Sequence, residues 1–124
     1  MSENLEVPII LLDLGNVGQA LLRQILDTRE VLARRAGLRL APIGLADISG
    51  MLIDADGLFE ETLRSALRVT TDDHLLDVLP EIHPLDEVGG VLRAGAILAD
   101  LTASTETDPT LRTALDAGCG VVIS

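Results

Sequence analysis

The sequence predicts a three-layer α/β/α domain with a mostly parallel sheet, and three features lead to it. A continuously apolar run, Ile9 to Leu12, stops at a glycine-bearing turn and passes straight into a long amphipathic pattern. Strand-like and helix-like stretches then alternate to the end of the chain, the order that parallel strands joined by helical crossovers require. No hairpin turn signal joins consecutive strands, so an antiparallel meander fits poorly.

Val7 to Leu12 reads as the first strand, apolar on both faces as a central strand should be. A helix is expected from Asn16 to Ala36, closed by Gly37. Gln19, Arg23, Asp27, Glu30 and Arg34 form its polar stripe, and Leu21, Ile25, Leu32 and Ala36 line the opposite side. A Glu30–Arg34 ion pair would add about 0.3 kcal/mol. Leu38 to Ala46 reads as the second strand, ending in Asp47. Pro42 lacks an N–H and so belongs at a bulge or on a side without ladder hydrogen bonds.

Ile48 to Gly57 reads as irregular, which leaves the third strand degenerate or absent. A helix follows at Leu58 to Leu67, with Phe59, Leu63, Ala66 and Leu67 on one face and Glu60–Arg64 as a surface pair. Thr71 or Asp72 would cap a short helix through Leu79, stopped by Pro80. Another would run from Pro84 to just before Gly95, with Leu85, Val88 and Leu92 inward. Ala96 to Leu101 is the next strand. Pro109 to Ala117 is a helix capped by Asp108 and closed by Gly118, and Val121 to Ile123 is the last strand. The result is one Rossmann-like domain over residues 1–124.

Composition narrows what such a domain can do. Of the 124 residues 48% are apolar, yet Phe59 is the sole aromatic, so the core is aliphatic. That absence also removes the stacking platforms of single-strand nucleic-acid binders. A net charge of −11 argues against nucleic acid and anionic membrane surfaces. All 9 basic residues are arginine, which excludes a Walker-type phosphate loop and Schiff-base chemistry within this sequence. Cys119, the lone cysteine, reads as a small buried residue before the last strand. With no signal peptide and no run long enough to span a bilayer, the expected location is the cytoplasm.

Three stretches carry the functional reading. In Gly15-Asn16-Val17-Gly18 the two glycines fall on the second and third positions of a G-x-G-x-x-G fingerprint, and Asp13 stands at the first. Gly15 lets a diphosphate approach the backbone, Gly18 lets the helix pack closely, and Asn16 and Val17 offer first-turn N–H groups to the anion. A turn needing glycine only for packing is the alternative. Asp47, ending the second strand, is placed to accept both ribose hydroxyls of an adenosine. Its separation from Gly18 exceeds the usual ~20 residues, and the long first helix accounts for the excess. Its charge opposes a 2′-phosphate, so NAD is favoured over NADP unless Arg39 or Arg64 folds inward. Capping of the segment before Ser49-Gly50 is the competing role. Thr102, Ala103 and Ser104 follow Asp100-Leu101 at the end of the fourth strand. Sheet topology sets them beside the first loop, where the hydroxyls would bond pyrophosphate, ribose or nicotinamide amide, or else merely satisfy loop backbone.

Weaker signals assign nothing. Asp72, Asp73, His74, Asp77 and His83 match no metal-ligand spacing and read as a solvated helix end. Asp54-Ala55-Asp56-Gly57 lacks the bidentate glutamate of a calcium loop, since Leu63 stands at that position. No metal site and no catalytic triad is legible.

Taken in order, these residues resemble the amino-terminal NAD(P)-binding domain of homoserine dehydrogenases over nearly the whole chain. The likeness runs through Leu14-Gly15-Asn16-Val17-Gly18 with Ala20-Leu21-Leu22, then Arg34-Arg35-Ala36-Gly37-Leu38-Arg39-Leu40 and Gly44-Leu45-Ala46-Asp47. It continues with Gly50, Asp56-Gly57-Leu58, Asp100-Leu101-Thr102-Ala103-Ser104, and Leu115-Asp116-Ala117-Gly118 before Val121-Val122. The resemblance implies hydride exchange between NAD(P) and the homoserine/aspartate-semialdehyde couple. Gly15, Asn16, Val17 and Gly18 would contact the cofactor phosphates, and Thr102, Ala103 and Ser104 would flank the nicotinamide half. It also implies that an Asn-Lys pair with the catalytic lysine, and a substrate-binding, dimerising domain, follow Ser124. The chain is then expected to be a fragment, inactive alone and homodimeric at full length.

Where Asp13 stands, that family usually has a small residue, most often glycine. Like charges ~5 Å apart repel by on the order of 1–3 kcal/mol at an effective dielectric of about 20–60, so Asp13 bears directly on affinity. Two other readings stay open. One is the first domain of another NAD-dependent amino-acid or polyol dehydrogenase; the other is a stand-alone or degenerate dinucleotide-binding or regulatory module.

Overall fold

Strand β1 (Leu5–Leu12) sits at the centre of a five-stranded sheet of order β3-β2-β1-β4-β5. The computed structural model describes residues 5–47, 50–68, 90–102 and 107–123. In chain order β1 is followed by α1 (Asn16–Asp27), α2 (Arg29–Ala36), β2 (Leu38–Asp47), β3 (Gly50–Ile53) and α3 (Glu60–Ala66). β4 (Ile97–Asp100), α4 (Asp108–Asp116) and β5 (Gly120–Ile123) complete the fold. β1 pairs in parallel with β2 and β4, and β4 with β5.

The period-two geometry of a strand splits the apolar run of β1 between two cores. Ile9 and Leu11 join Leu22, Ile25 and Leu26 of α1 and Leu63 and Ala66 of α3 on one face. Ile10 and Leu12 join Val91, Leu98, Ala114 of α4 and Cys119 on the other. The expected three layers are therefore present, and Cys119 is the small buried residue that the sequence suggested. Pro42 lies at a register shift, as its missing N–H required: Ile9 faces Pro42, Ile10 faces Gly44, and Ile43 is skipped.

Several expectations need correction. The helix predicted from Asn16 to Ala36 is two helices. The Thr28 hydroxyl and N–H both turn back to the Gln24 carbonyl, at 2.7 and 3.0 Å, and the backbone bends there. The apolar stripe ends at the same point: α1 buries Leu22, Ile25 and Leu26, whereas α2 buries nothing, and Ala36 is exposed. Within α2 the Arg34 side chain bonds the Glu30 carbonyl oxygen at 3.4 Å, in place of the expected ion pair with the Glu30 carboxylate.

The third strand is present. β3 runs antiparallel to β2, with Asp47 opposite Gly50 and Gly44 opposite Ile53, so a hairpin does join consecutive strands. Its connection, Ile48-Ser49, has none of the Asn-Gly or Asp-Gly chemistry that marks hairpins in sequence. Lastly, Asp108 opens α4 rather than capping it. Thr107 occupies the cap position with no side-chain capping bond, because its hydroxyl is committed elsewhere. Gly37 and Gly118 end α2 and α4 in the left-handed region (φ 61° and 87°), as their positions implied. The helix expected at Thr71–Leu79 lies outside the described residues, and of the one expected from Pro84 to just before Gly95 only residues 90–94 are described. A short 3₁₀ stretch at residues 90–91 gives way to non-helical backbone, so no helix reaches Gly95, while Val91 and Leu92 pack on the second core. Among the described residues no helix is long and apolar enough to cross a membrane.

Candidate functional site

The strand order places the C-terminal ends of β1 and β4 side by side. Leu12 faces Asp100, and the Leu101 N–H donates to the Leu12 carbonyl at 3.0 Å. From β1 the chain crosses to β2 on one side, and β4 lies on the other. This is the point where open α/β sheets leave a crevice for ligands.

The loop after β1 is pinned at both ends. The N–H groups of Asp13 and Leu14 both donate to the Ala46 carbonyl, at 3.0 and 2.9 Å, which ties the turn to the end of β2. Leu14 is buried in the first core and Gly15 precedes α1. A β-carbon at Gly18 would collide with the Asp13 carbonyl oxygen, so the helix can start this close to the strand only with glycine there. The first ladder bond of α1 runs from the Gln19 N–H to the Gly15 carbonyl at 2.8 Å. The N–H groups of Asn16, Val17 and Gly18 thus precede the ladder, no side chain caps them and no acidic residue sits in the first turn. Asn16 and Val17 are exposed. Such a helix start suits an anion.

Asp13 alters that picture. At φ 80° it is the one non-glycine with a positive φ among the described residues. Aspartate tolerates this region better than most residues, at a cost of roughly 1–2 kcal/mol. Its carboxylate folds over the turn, with Oδ1 only 3.2 Å from where a β-carbon of Gly15 would lie. A negative charge therefore hangs over the surface that the missing side chain of Gly15 leaves open.

The loop after β4 is organised by a residue that the sequence reading passed over. Asp100 is 2% exposed. Its Oδ1 accepts the Thr102 N–H at 3.0 Å and the Thr102 hydroxyl at 2.6 Å, and Oδ2 accepts the Thr107 hydroxyl at 2.5 Å. Burial pushes its pKa up, but the hydrogen bonds from Thr102 and Thr107 outweigh this and hold the carboxyl below its ordinary value. The signal was in the spacing: Asp-x-Thr is an Asx-type turn in which the aspartate bonds a backbone two residues on.

Gly15, Asn16, Val17, Gly18 and Thr102 are therefore brought to one end of the sheet, and Asp47 ends β2 beside them. Ala103 and Ser104 lie outside the described residues. Arg39 and Arg64 do not reach the site. Arg39 pairs with Glu6 at 3.3 Å near the start of the strands, and Arg64 with Glu60 at 3.6 Å, the predicted surface pair. Arg29 belongs to the same basal cluster. Burial, then Arg39, lowers its pKa against the pull of Glu60 4.0 Å away, and its Nε has no hydrogen-bond partner among the described residues. A cavity of about 470 Å³ also opens at that far end, lined by Glu6, Pro8, Asp56 and Arg93, and contains none of the predicted site residues. No group of three potential metal ligands occurs among the described residues.

Comparison with solved structures decides the architecture. A hyperthermophilic archaeal homoserine dehydrogenase in complex with NADPH superposes with a TM-score of 0.75 at 27% identity, over 96% of this chain and 35% of that one. The fold is one that homoserine dehydrogenases share. A mutant hyperthermophilic archaeal homoserine dehydrogenase, also with NADPH, matches at 0.72 and 25% identity over 97% of this chain and 36% of that one. The homoserine dehydrogenase of Thermoplasma acidophilum matches in fold at 0.68 and 20% identity over 96% and 35%. The chain spans about a third of the length of these homoserine dehydrogenases. No protein-family model and no curated protein matches the sequence.

Proposed function

We propose that this chain is the nicotinamide-dinucleotide-binding domain of an enzyme of the homoserine dehydrogenase type. What carries the reading is one coincidence. The uncapped start of α1 behind Gly15 and the hydroxyl-bearing loop after β4 meet at the switch point, in a fold shared with two homoserine dehydrogenases in complex with NADPH. When bound, the dinucleotide supplies hydride chemistry. The first-turn N–H groups of Asn16, Val17 and Gly18 would hold its diphosphate, Asp47 the adenosine ribose, and Thr102, Ala103 and Ser104 the nicotinamide side. Residues 1–124 contain no catalytic residue in this reading. Interconversion of homoserine and aspartate semialdehyde would need the further length that the matching enzymes have, and homodimerisation would reside there too. The cytoplasm is the compartment that fits.

NAD is the cofactor that this chain's own residues favour. Asp47 brings a negative charge to the end of β2, and Arg39 and Arg64 are engaged by Glu6 and Glu60. Asp13 favours a second reading, a degenerate module that has lost the dinucleotide, because its carboxylate covers the turn that should receive the diphosphate. Calorimetric titration of NAD and NADP into the wild type and Asp13→Gly separates them. The cofactor reading expects NAD to bind more tightly than NADP, and Asp13→Gly to improve affinity about 10- to 100-fold. Binding only by the glycine variant supports the degenerate module. No binding by either folded protein removes the cofactor reading.

A further inference from the structure

Arg29, the first residue of α2, is placed against its own chemistry. Its side chain is only 18% exposed, and its Nε is buried without a hydrogen-bond partner among the described residues. A guanidinium cannot relieve burial by giving up its proton, so a buried N–H that lacks an acceptor is a standing cost. The carboxylate that faces it does little to offset this. Glu60 Oε1 lies 4.0 Å from Arg29 Nη1 and 3.6 Å from Arg64 Nη2, beyond hydrogen-bond distance of both. One carboxylate oxygen is thus stretched between two guanidiniums. Glu60 is 55% exposed, so water screens the attraction that remains.

The charges gathered here do not balance. Arg39, Arg64, Glu60 and Glu6 are the charged groups that act on Arg29, which makes three positive charges against two negative ones. This excess stands in a chain whose net charge is −11. Glu6 is engaged by Arg39 at 3.3 Å, so Arg29 and Arg64 are left to share Glu60. One further negative charge would close the balance. A carboxylate fits, because it brings a single charge and two coplanar oxygens matched to the guanidinium edge that carries Nε. A phosphate dianion would overshoot and set a second excess charge against Glu60.

The cluster lies where β1 and β2 begin, since Glu6 faces Arg39 there and Leu12 ends β1 at the other side of the sheet. Strand geometry puts about 20 Å between it and the crevice.

We propose that Arg29 and Arg64 form a site for the carboxylate group of a small ligand. The Nε edge of Arg29 is its seat, and the half-exposed Glu60 turns away as the ligand enters. The site stands apart from the dinucleotide reading, because none of its residues borders the crevice.

The test follows the arginine Nε–H signals in a nitrogen–proton NMR spectrum, with acetate as the probe and Arg29→Met identifying the Arg29 signal. Acetate should shift that signal saturably, with a midpoint at or below about 20 mM, and chloride at equal ionic strength should not. Glu60→Gln removes the competing carboxylate and should tighten acetate about fivefold. Arg64→Met removes half of the site and should weaken it about tenfold. Folding of each variant is checked by circular dichroism, and if Arg64→Met does not fold, Glu60→Gln alone carries the test. A merely structural ion-pair network gives no saturable shift and no gain in Glu60→Gln. Either of those results, or an equal response to chloride, would overturn the proposal. Inorganic phosphate that binds as tightly as acetate would overturn the assignment to a carboxylate.

Discussion

Two aspartates end the two central strands of this sheet, one residue past β1 and at the last residue of β4, and they have opposite fates. Asp100 is buried and accepts three hydrogen bonds from Thr102 and Thr107. Asp13 is half-buried, accepts no hydrogen bond among the described residues, and holds a left-handed backbone. The same side chain is a buttress in one loop and a strained, unshared charge in the other. The difference is local. Behind Asp100 the chain returns at once with hydroxyls at positions 102 and 107. Behind Asp13 come only Leu14, Gly15 and a helix whose first N–H groups run past it.

The comparison is broken most strongly at Asp100. Asp100→Ala would leave the Thr102 N–H and two threonine hydroxyls without their acceptor in a part-buried site, and should cost about 3 kcal/mol in urea unfolding. A loss below about 1 kcal/mol would mean that water replaces the carboxylate and that it is no buttress.

Next in size is Gly18→Ala. The new methyl meets the Asp13 backbone carbonyl, which cannot swing aside as a side chain would. About 2 kcal/mol of destabilisation is expected, read as a lower unfolding midpoint with unchanged m-value. An Ala variant as stable as wild type would show that the β1 turn is looser than its two bonds to Ala46 imply.

Acid titration sharpens the contrast further. The Asp100 pKa is lowered from the ordinary 3.8, so the native state binds its proton less readily than the unfolded chain. Its contribution is present in full above that ordinary value and is lost as the pH falls below it through the native value. Unfolding curves from pH 5 to 2 should therefore show a loss of stability that is smaller in Asp100→Asn. Equal slopes in the two proteins would place the acid sensitivity elsewhere.

The legibility of the two loops differs for physical reasons. Sequence patterns read well where one residue type has one use. Aliphatic runs made β1 and β4 visible, Pro42 announced its bulge, and Gly37 and Gly118 closed their helices. Gly18 was read correctly because close packing of a helix start demands glycine. The hairpin was missed because Ile48-Ser49 carries no turn signature, and the pairing of β2 with β3 is a tertiary fact. The break at Thr28 was missed because periodicity weighs apolar spacing and ignores a hydroxyl that turns back to Gln24. The Asp100–Thr102 turn is legible in the Asp-x-Thr spacing, whereas the bond from Thr107, seven residues on, is a tertiary fact. Asp13 stood out in sequence as the residue replacing a glycine; its positive φ and the carboxylate over Gly15 needed coordinates.

Substitution of Asp13 should move stability least. Asp13→Gly relieves a left-handed residue, worth roughly 1 kcal/mol, but gives the unfolded chain extra freedom worth about 0.5–1 kcal/mol. The two nearly cancel, so the unfolding free energy should stay within about 0.5 kcal/mol of wild type. Asp13→Ala separates charge from backbone. It removes the carboxylate but keeps a β-carbon at φ 80°, and loses the short polar side chain that makes that region tolerable. Alanine should thus be about 1 kcal/mol less stable than glycine while gaining as much dinucleotide affinity. If alanine and glycine match in stability, the turn relaxes out of its left-handed geometry and the strain assigned to Asp13 is absent. If glycine alone gains affinity, the obstacle over Gly15 is the shape of the turn and not its charge.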